Sequence, residues 1–166
     1  MAMNIKFPAS IGLLCALLAG CATGPHQPFV PAAPPPNAGA IYFYRPSEMT
    51  GRMLRPTITA NGAKVGRLPN DSYGVFTVSP GTIALRSVWP GIPGTIRDDA
   101  ATVNVEAGKN YYVRVRYHVT KAHNITPTIA GIGALSFENR AGLEVIEEME
   151  AVPQLTGIPL SSSFGR

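Results

Sequence analysis

Between Tyr111 and Val119 the side chains alternate with period two. Tyr111, Val113, Val115, Tyr117 and Val119 fall on one face of an extended chain; Tyr112, Arg114, Arg116 and His118 fall on the other. A helix of 3.6 residues per turn would mix the two sets, so this stretch reads as a strand with one buried and one wet face. Shorter pieces of the chain repeat the signal. Ile41–Tyr44 begins a strand that Arg45-Pro46 ends. Thr57–Ala60, Asn61-Gly62 and Ala63–Gly66 read as a tight hairpin, because Asn-Gly supplies the positive φ values of a type I′ turn. Tyr73–Val78, the turn Ser79-Pro-Gly81 and Thr82–Trp89 follow, with Ile83, Leu85 and Trp89 on one face. After a loop at Pro90–Gly94, Ala101–Val105 alternates again and Ala107–Asn110 turns the chain. Leu135–Phe137 and Leu143–Ile146 read as two closing strands, with an apolar, Gly-rich loop at Thr126–Ala134 before them and one or two helical turns over Glu147–Leu155 after them.

Short strands with turn chemistry between them indicate an all-β fold, a single antiparallel β-sandwich of the Ig-like kind. Residues 40–155 are enough for one small core, with 156–166 left as a flexible tail. The 17 Gly and 16 Pro supply the punctuation without a collagen-like period. Charged residues make up 14% of the chain against 45% apolar, which excludes a highly charged disordered chain. A formal net charge of +4 is too modest for a nucleic-acid binder. The 2 Cys cannot make a disulfide scaffold or a structural zinc site.

Residues 1–20 read as an address. Lys6 precedes the twelve-residue apolar run Ala9–Gly20, within the ~7–15 residues of a signal-peptide core and short of the ~20 that a membrane span needs. The run ends in Leu18-Ala19-Gly20-Cys21, which resembles a bacterial lipoprotein box. The resemblance implies cleavage before Cys21 by a signal peptidase that recognises Leu18, Ala19 and Gly20, with a covalent lipid on the Cys21 thiol. Cys15 would leave with the signal peptide, and the mature chain would keep no free thiol. Several acyl chains on Cys21 give stable anchoring without a spanning helix. Ala22, where an Asp would signal retention, points by the same resemblance to the outer membrane, facing the periplasm. Residues 21–39 then form a tether: six of the eighteen residues from Ala22 to Gly39 are Pro and none is charged. As polyproline II it would hold the domain up to about 55 Å from the bilayer.

The order of signals also resembles a family. After the anchor cysteine come Tyr42-Phe-Tyr-Arg-Pro46, Asn61-Gly-Ala-Lys-Val-Gly66, Val78-Ser-Pro-Gly81, Ala107-Gly-Lys-Asn-Tyr-Tyr-Val-Arg114 and Leu143-Glu-Val-Ile-Glu147. This resembles the prokaryotic lipoproteins of domain-of-unknown-function family 2846, similar in style to small PEGA-like β-sandwich modules. The resemblance implies an envelope lipoprotein with no assigned activity and carries over no catalytic residue.

Catalytic chemistry has few candidates. There is no Gly-x-Ser-x-Gly elbow, and Ser161-Ser-Ser163 has no His near it in sequence. The acids cluster as Asp98-Asp99 and as Glu144, Glu147, Glu148 and Glu150, which read as a loop and a solvated surface rather than a glycosidase pair. His118 and His123 are not at a metal-ligand spacing. No catalytic residue, no metal site and no cofactor beyond the lipid on Cys21 is expected.

The charge distribution points to contact with anions. Arg45–Lys121 has a net charge of +6 and Glu138–Glu150 of −4. Tyr112, Arg114, Arg116 and His118 form a basic, aromatic-flanked stripe that could meet lipid phosphates, glycan carboxylates or an acidic envelope protein. The alternative is an ordinary wet face paired with the C-terminal acids. The expected function is a non-enzymatic binding or structural module anchored in the envelope, without nucleic acid as a partner. An envelope enzyme, or enzyme accessory, acting on glycan is the alternative.

Overall fold

A computed structural model describes residues 28–90, 96–97, 99–124 and 135–164; for 96–97, 118–124 and 135–141 the backbone alone is described. The signal peptide, Leu18, Ala19, Gly20, Cys21 and the Gly-rich stretch 126–134 lie outside the described residues.

The chain forms strands β1 (Gly39–Arg45), β2 (Thr57–Ala60), β3 (Ala63–Arg67), β4 (Ser72–Val78), β5 (Gly81–Val88), β6 (Ile96–Arg97), β7 (Asp99–Val105), β8 (Asn110–Asn124) and β9 (Leu135–Ile146). Helix α1 (Glu148–Leu155) follows. The strands make two packed sheets, in the orders β4-β1-β8-β9-β6 and β3-β2-β5-β7. The protein is an all-β sandwich. The Asn61-Gly62 hairpin forms as its turn chemistry requires: the two residues have φ of 48° and 80°, and Ala60 pairs with Ala63.

The inner faces of the sheets share one core. Ile41, Phe43, Val113, Val115 and Leu143 from the first sheet meet Ile58, Val65, Ile83, Leu85, Val103 and Val105 from the second. Ile83 and Leu85 point inward as the alternation requires, and Trp89 closes the same cluster.

The pairing is predominantly antiparallel, as expected, with two exceptions, and three other expectations change. The sheet is not wholly antiparallel: β1 pairs with β8 in parallel, and β6 with β9 in parallel. Strand β1 is buried at all seven positions. A strand covered on both faces reads as a continuous apolar run, and such strands accept parallel neighbours as readily as antiparallel ones. The two closing strands are one strand, β9, paired with β8 from Tyr112↔Ile146 out to Asn124↔Leu135. The last residue of β8 that pairs with β1 is Arg114, so the β8–β9 hairpin runs on beyond β1.

The tether and the tail are the other two corrections. The second half of the Pro-rich segment lies on the sheet. Phe29 packs edge-on against Tyr42 and Tyr73, with ring centroids 5.6 and 5.3 Å apart, and Ala32 N donates to Tyr42 Oη at 2.9 Å. The tail is not free either. Ser161 N donates to Tyr73 O at 2.7 Å, Leu160 bridges to Tyr73 and Phe164 to Gly66. The Phe164 ring sits against Phe43, 5.6 Å between centroids, and fills the space above Gly66 and Gly74. Both glycines are required there, because a Cβ on Gly74 would overlap the ring.

The outer face of the first sheet carries a second cluster: Ala40, Tyr42, Tyr44 and Tyr112 under Ala151 and Leu155 of α1. Ala151 and Leu155 are four residues apart and so share one stripe of the helix. Glu148 and Glu150 in its first turn suit the positive end of the helix dipole. Burial pushes the Tyr44 and Tyr112 hydroxyls up to about 12 from the ordinary 10.0.

Two predictions follow from this packing. Phe164→Ala lowers stability by about 2 kcal/mol, less than a fully buried Phe would cost, and Gly74→Ala is also destabilising. Urea denaturation checks both, and unchanged midpoints would place the tail outside the fold. Because the tyrosine pKa values are raised on folding, their contribution is complete below pH 10 and is lost as pH rises through about 12. The urea midpoint therefore falls over that window, and Tyr112→Phe makes the fall shallower. An identical pH profile in that variant would contradict the assignment.

Candidate functional site

Arg45 is the last residue of β1 and continues the inward side of Ile41 and Phe43. It is fully buried, at 0% exposure. Its Nη1 donates to Leu54 O at 2.6 Å and its Nη2 to Gly51 O at 2.8 Å. The guanidinium carbon lies 4.9 Å from the centroid of the Trp89 ring, a cation–π arrangement. Trp89 is held in turn by Ser87 Oγ, 3.2 Å from Nε1, and by Tyr117, 5.3 Å between ring centroids. Burial lowers the Arg45 pKa and Glu48 opposes that shift. An arginine starting above ~12 keeps its charge at neutral pH.

The carbonyls that Arg45 holds belong to the loop after β1. Leu54 N donates to Gly51 O at 2.9 Å, a turn in which Gly51 adopts φ +70°. A side chain at Gly51 would press on the Tyr117 ring, 2.8 Å from the ideal Cβ. The start of the loop is pinned separately. Glu48 accepts from Arg116 Nε and from Tyr117 N, both at 3.2 Å, while Glu48 N donates to Asn70 Oδ1 at 3.1 Å. A rigid scaffold thus presents a surface loop, the usual arrangement for binding residues.

The outer side of this loop is cationic and apolar together. Met49 and Met53 are 82% and 84% exposed, and Arg52 and Arg55 are exposed beside them. Two clefts meet at Met53 and Arg55. One, of ≈ 320 Å³, reaches past Arg52 to Asn70 and Asp71; the other, of ≈ 370 Å³, reaches past Arg67 to Val88, Trp89 and Pro90. Among the described residues, Arg52, Arg55 and Arg67 form no salt bridge. Unpaired guanidinium groups are planar, forked donors suited to carboxylate and phosphate.

The stripe expected from β8 is arranged differently. Tyr112 is 1% exposed, stacked on Tyr42 at 5.4 Å and covered by α1, so it offers no contact surface. Arg114 is already engaged: Nε and Nη2 donate to Glu144 Oε2 at 2.8 and 2.6 Å, and Nη1 donates to Glu150 Oε1 at 3.0 Å. Burial alone would lower its pKa, but these carboxylates raise it overall. Arg116 is committed to Glu48. His118 stands opposite Arg140 in the β8–β9 register, and its side chain lies outside the described residues. Among the described side chains the alternation assigned the faces correctly, but β9, α1 and the loop after β1 supply acids that take up the charge. Arg45, Arg52, Arg55 and Arg67 were missed as a group. Arg45 read as a strand terminator, and the surviving signal was the density of arginine between Arg45 and Arg55.

Among the described residues, no group of three or more His, Cys, Asp or Glu side chains is placed to hold a metal ion. Nor is any described helix long and apolar enough to cross a membrane. A family model described as "Protein of unknown function (DUF2846)" matches residues 35–127, more than half of the chain. No curated protein and no solved structure matches.

Arg45→Met tests the pinned loop. It removes the donors of two carbonyls, each worth about 1–3 kcal/mol if left dry, but both belong to a surface loop that water can reach. It also relieves the desolvation of a buried charge. The net loss of global stability is therefore small, about 1 kcal/mol, while amide exchange at Leu54 accelerates strongly. Unchanged exchange across residues 50–55, read by hydrogen–deuterium exchange, would show that Arg45 does not hold the loop.

Proposed function

The chain belongs to the DUF2846 family of proteins of unknown function, and we propose that it is an envelope lipoprotein: a non-enzymatic binding module held by a lipid on Cys21 at the periplasmic side of the outer membrane. Anchorage rests on the sequence of Leu18-Ala19-Gly20-Cys21 behind its apolar run. The reading as a binding module is carried by one observation, the loop pinned by Arg45 with Arg52, Met53 and Arg55 directed outward. Its contact surface is this loop with Arg67, in place of the β8 stripe, whose Arg114 holds Glu144 of β9 and Glu150 of α1 and whose Arg116 holds Glu48.

The docked N-terminal segment shortens the spacer. Phe29 is on the sheet, so eight residues span Cys21 to the domain, a reach of at most about 29 Å at ~3.6 Å per residue rather than the full length of the Pro-rich segment. The domain then works close to the lipid surface.

Cys21→Ser removes the acceptor thiol. The expected product is an uncut precursor without lipid, heavier by its retained leader in intact-protein mass spectrometry and altered in detergent partitioning. A Cys21→Ser protein with the mature mass and normal detergent partitioning would overturn the anchor.

A further inference from the structure

Phe29, the loop after β1 and its two exposed methionines, Met49 and Met53, stand at one pole of the sandwich. Strand β1 runs from Gly39 to Arg45, and the segment before it runs back along the same sheet. Ala32 is at the level of Tyr42, and Phe29 reaches Tyr73, the partner of Tyr44. The chain therefore leaves the domain beside Tyr73, two residues from Asp71 at the rim of the first cleft. Thr57, Arg67 and Val88 are in register with one another at that same end, whereas the Ala107–Asn110 turn, bonded to Ala38 and Ala40, is at the far one.

We propose that the pole formed by Met49, Arg52, Met53, Arg55 and Arg67 docks on an anionic lipid surface, the bilayer that holds the acyl chains of Cys21. This inference rests on the lipid anchor proposed above. Three arguments support it. Chain length is the first. A seven-residue strand is about 23 Å long, so turning the far pole to the bilayer would use most of the ~29 Å reach of the spacer in running back along the domain. The loop pole needs almost none of it.

Charge is the second. Three guanidinium groups without a salt bridge face outward against one cleft carboxylate, Asp71, since Glu48 is taken by Arg116. Basic groups near an anionic membrane each add about fivefold to the docked population, and a lipid anchor supplies the high local concentration that makes such modest terms effective. The third argument is side-chain chemistry. Met49, Met53 and the 40%-exposed Val88 are flexible or compact apolar groups set among arginines. That is the composition of a surface that places apolar groups at the acyl boundary and cations at the phosphates.

The experiment uses the processed, full-length lipoprotein, with lipidation confirmed by mass, reconstituted into phosphatidylcholine vesicles with or without phosphatidylglycerol. With Cys21 acylated, the one reactive thiol is introduced at Met53→Cys, or at Ala107→Cys on the far turn, and carries an environment-sensitive fluorophore. A protein without lipid at the mass step rejects the anchor reading and is separable from the docking result. Docking predicts a several-fold, blue-shifted rise at position 53 on phosphatidylglycerol vesicles. The rise is lost in high salt and in Arg52→Glu/Arg55→Glu protein of unchanged melting temperature, and position 107 stays unchanged. Equal emission on both vesicle types, or an equal response at position 107, overturns the proposal. A rise on neutral vesicles produced by added polyglutamate also overturns it, in favour of an acidic protein partner.

Discussion

Strand β1 is covered on both faces, and most of the architecture follows from that. Gly39–Arg45 is buried at every position, with Ile41 and Phe43 in the core between the sheets and Tyr42 and Tyr44 in the cluster outside. A two-sheet sandwich by itself covers one face of each strand. The aromatic outer face of β1 would be left in water unless something lay on it. Helix α1 and the end of the Pro-rich segment do so, through Ala151, Leu155 and Phe29. The same burial places β1 inside its sheet between β4 and β8, and removes it from the edge where a row of unpaired backbone groups would be exposed.

Cations divide into two groups by what surrounds them. Arg45 answers two loop carbonyls and the face of Trp89; Arg114 answers Glu144 and Glu150; Arg116 answers Glu48. Each ties an element outside the sheets back to the strand that carries it. A half-buried cation pays a desolvation cost that its partners must offset, and this favours fixed geometry over availability to a ligand. Arg52, Arg55 and Arg67 are exposed and, among the described residues, unbridged, which leaves their guanidinium groups open to an anionic ligand.

The turns and the alternation were readable from local chemistry. Asn61-Gly62 specifies its own backbone, and Ile83, Leu85, Val113 and Val115 are inward in strands whose neighbours alternate with them. The harder features all depend on partners distant in sequence. Phe29 meets Tyr73, Phe164 meets Gly66 and Gly74, and Tyr112 meets α1. A Pro-rich segment and a Ser-rich tail look solvated because their own residues bury little; it is the aromatic and glycine surface waiting for them that orders them. The Arg-rich loop after β1 was equally hidden, since nothing local marks Arg45 as an inward residue rather than the end of a strand.

The sequence by itself determined the fold class, the positions of most strands, the hairpin turn and the family, because period-two patterning and positive-φ residues act over a few neighbours. Only the tertiary structure decided which polar faces stay wet. The faces of β8 were legible, but whether Tyr112 and Arg114 met water depended on a helix more than thirty residues later in the chain. Burial and ion pairing are set by what packs across a face, and that information is held between segments rather than within any one of them.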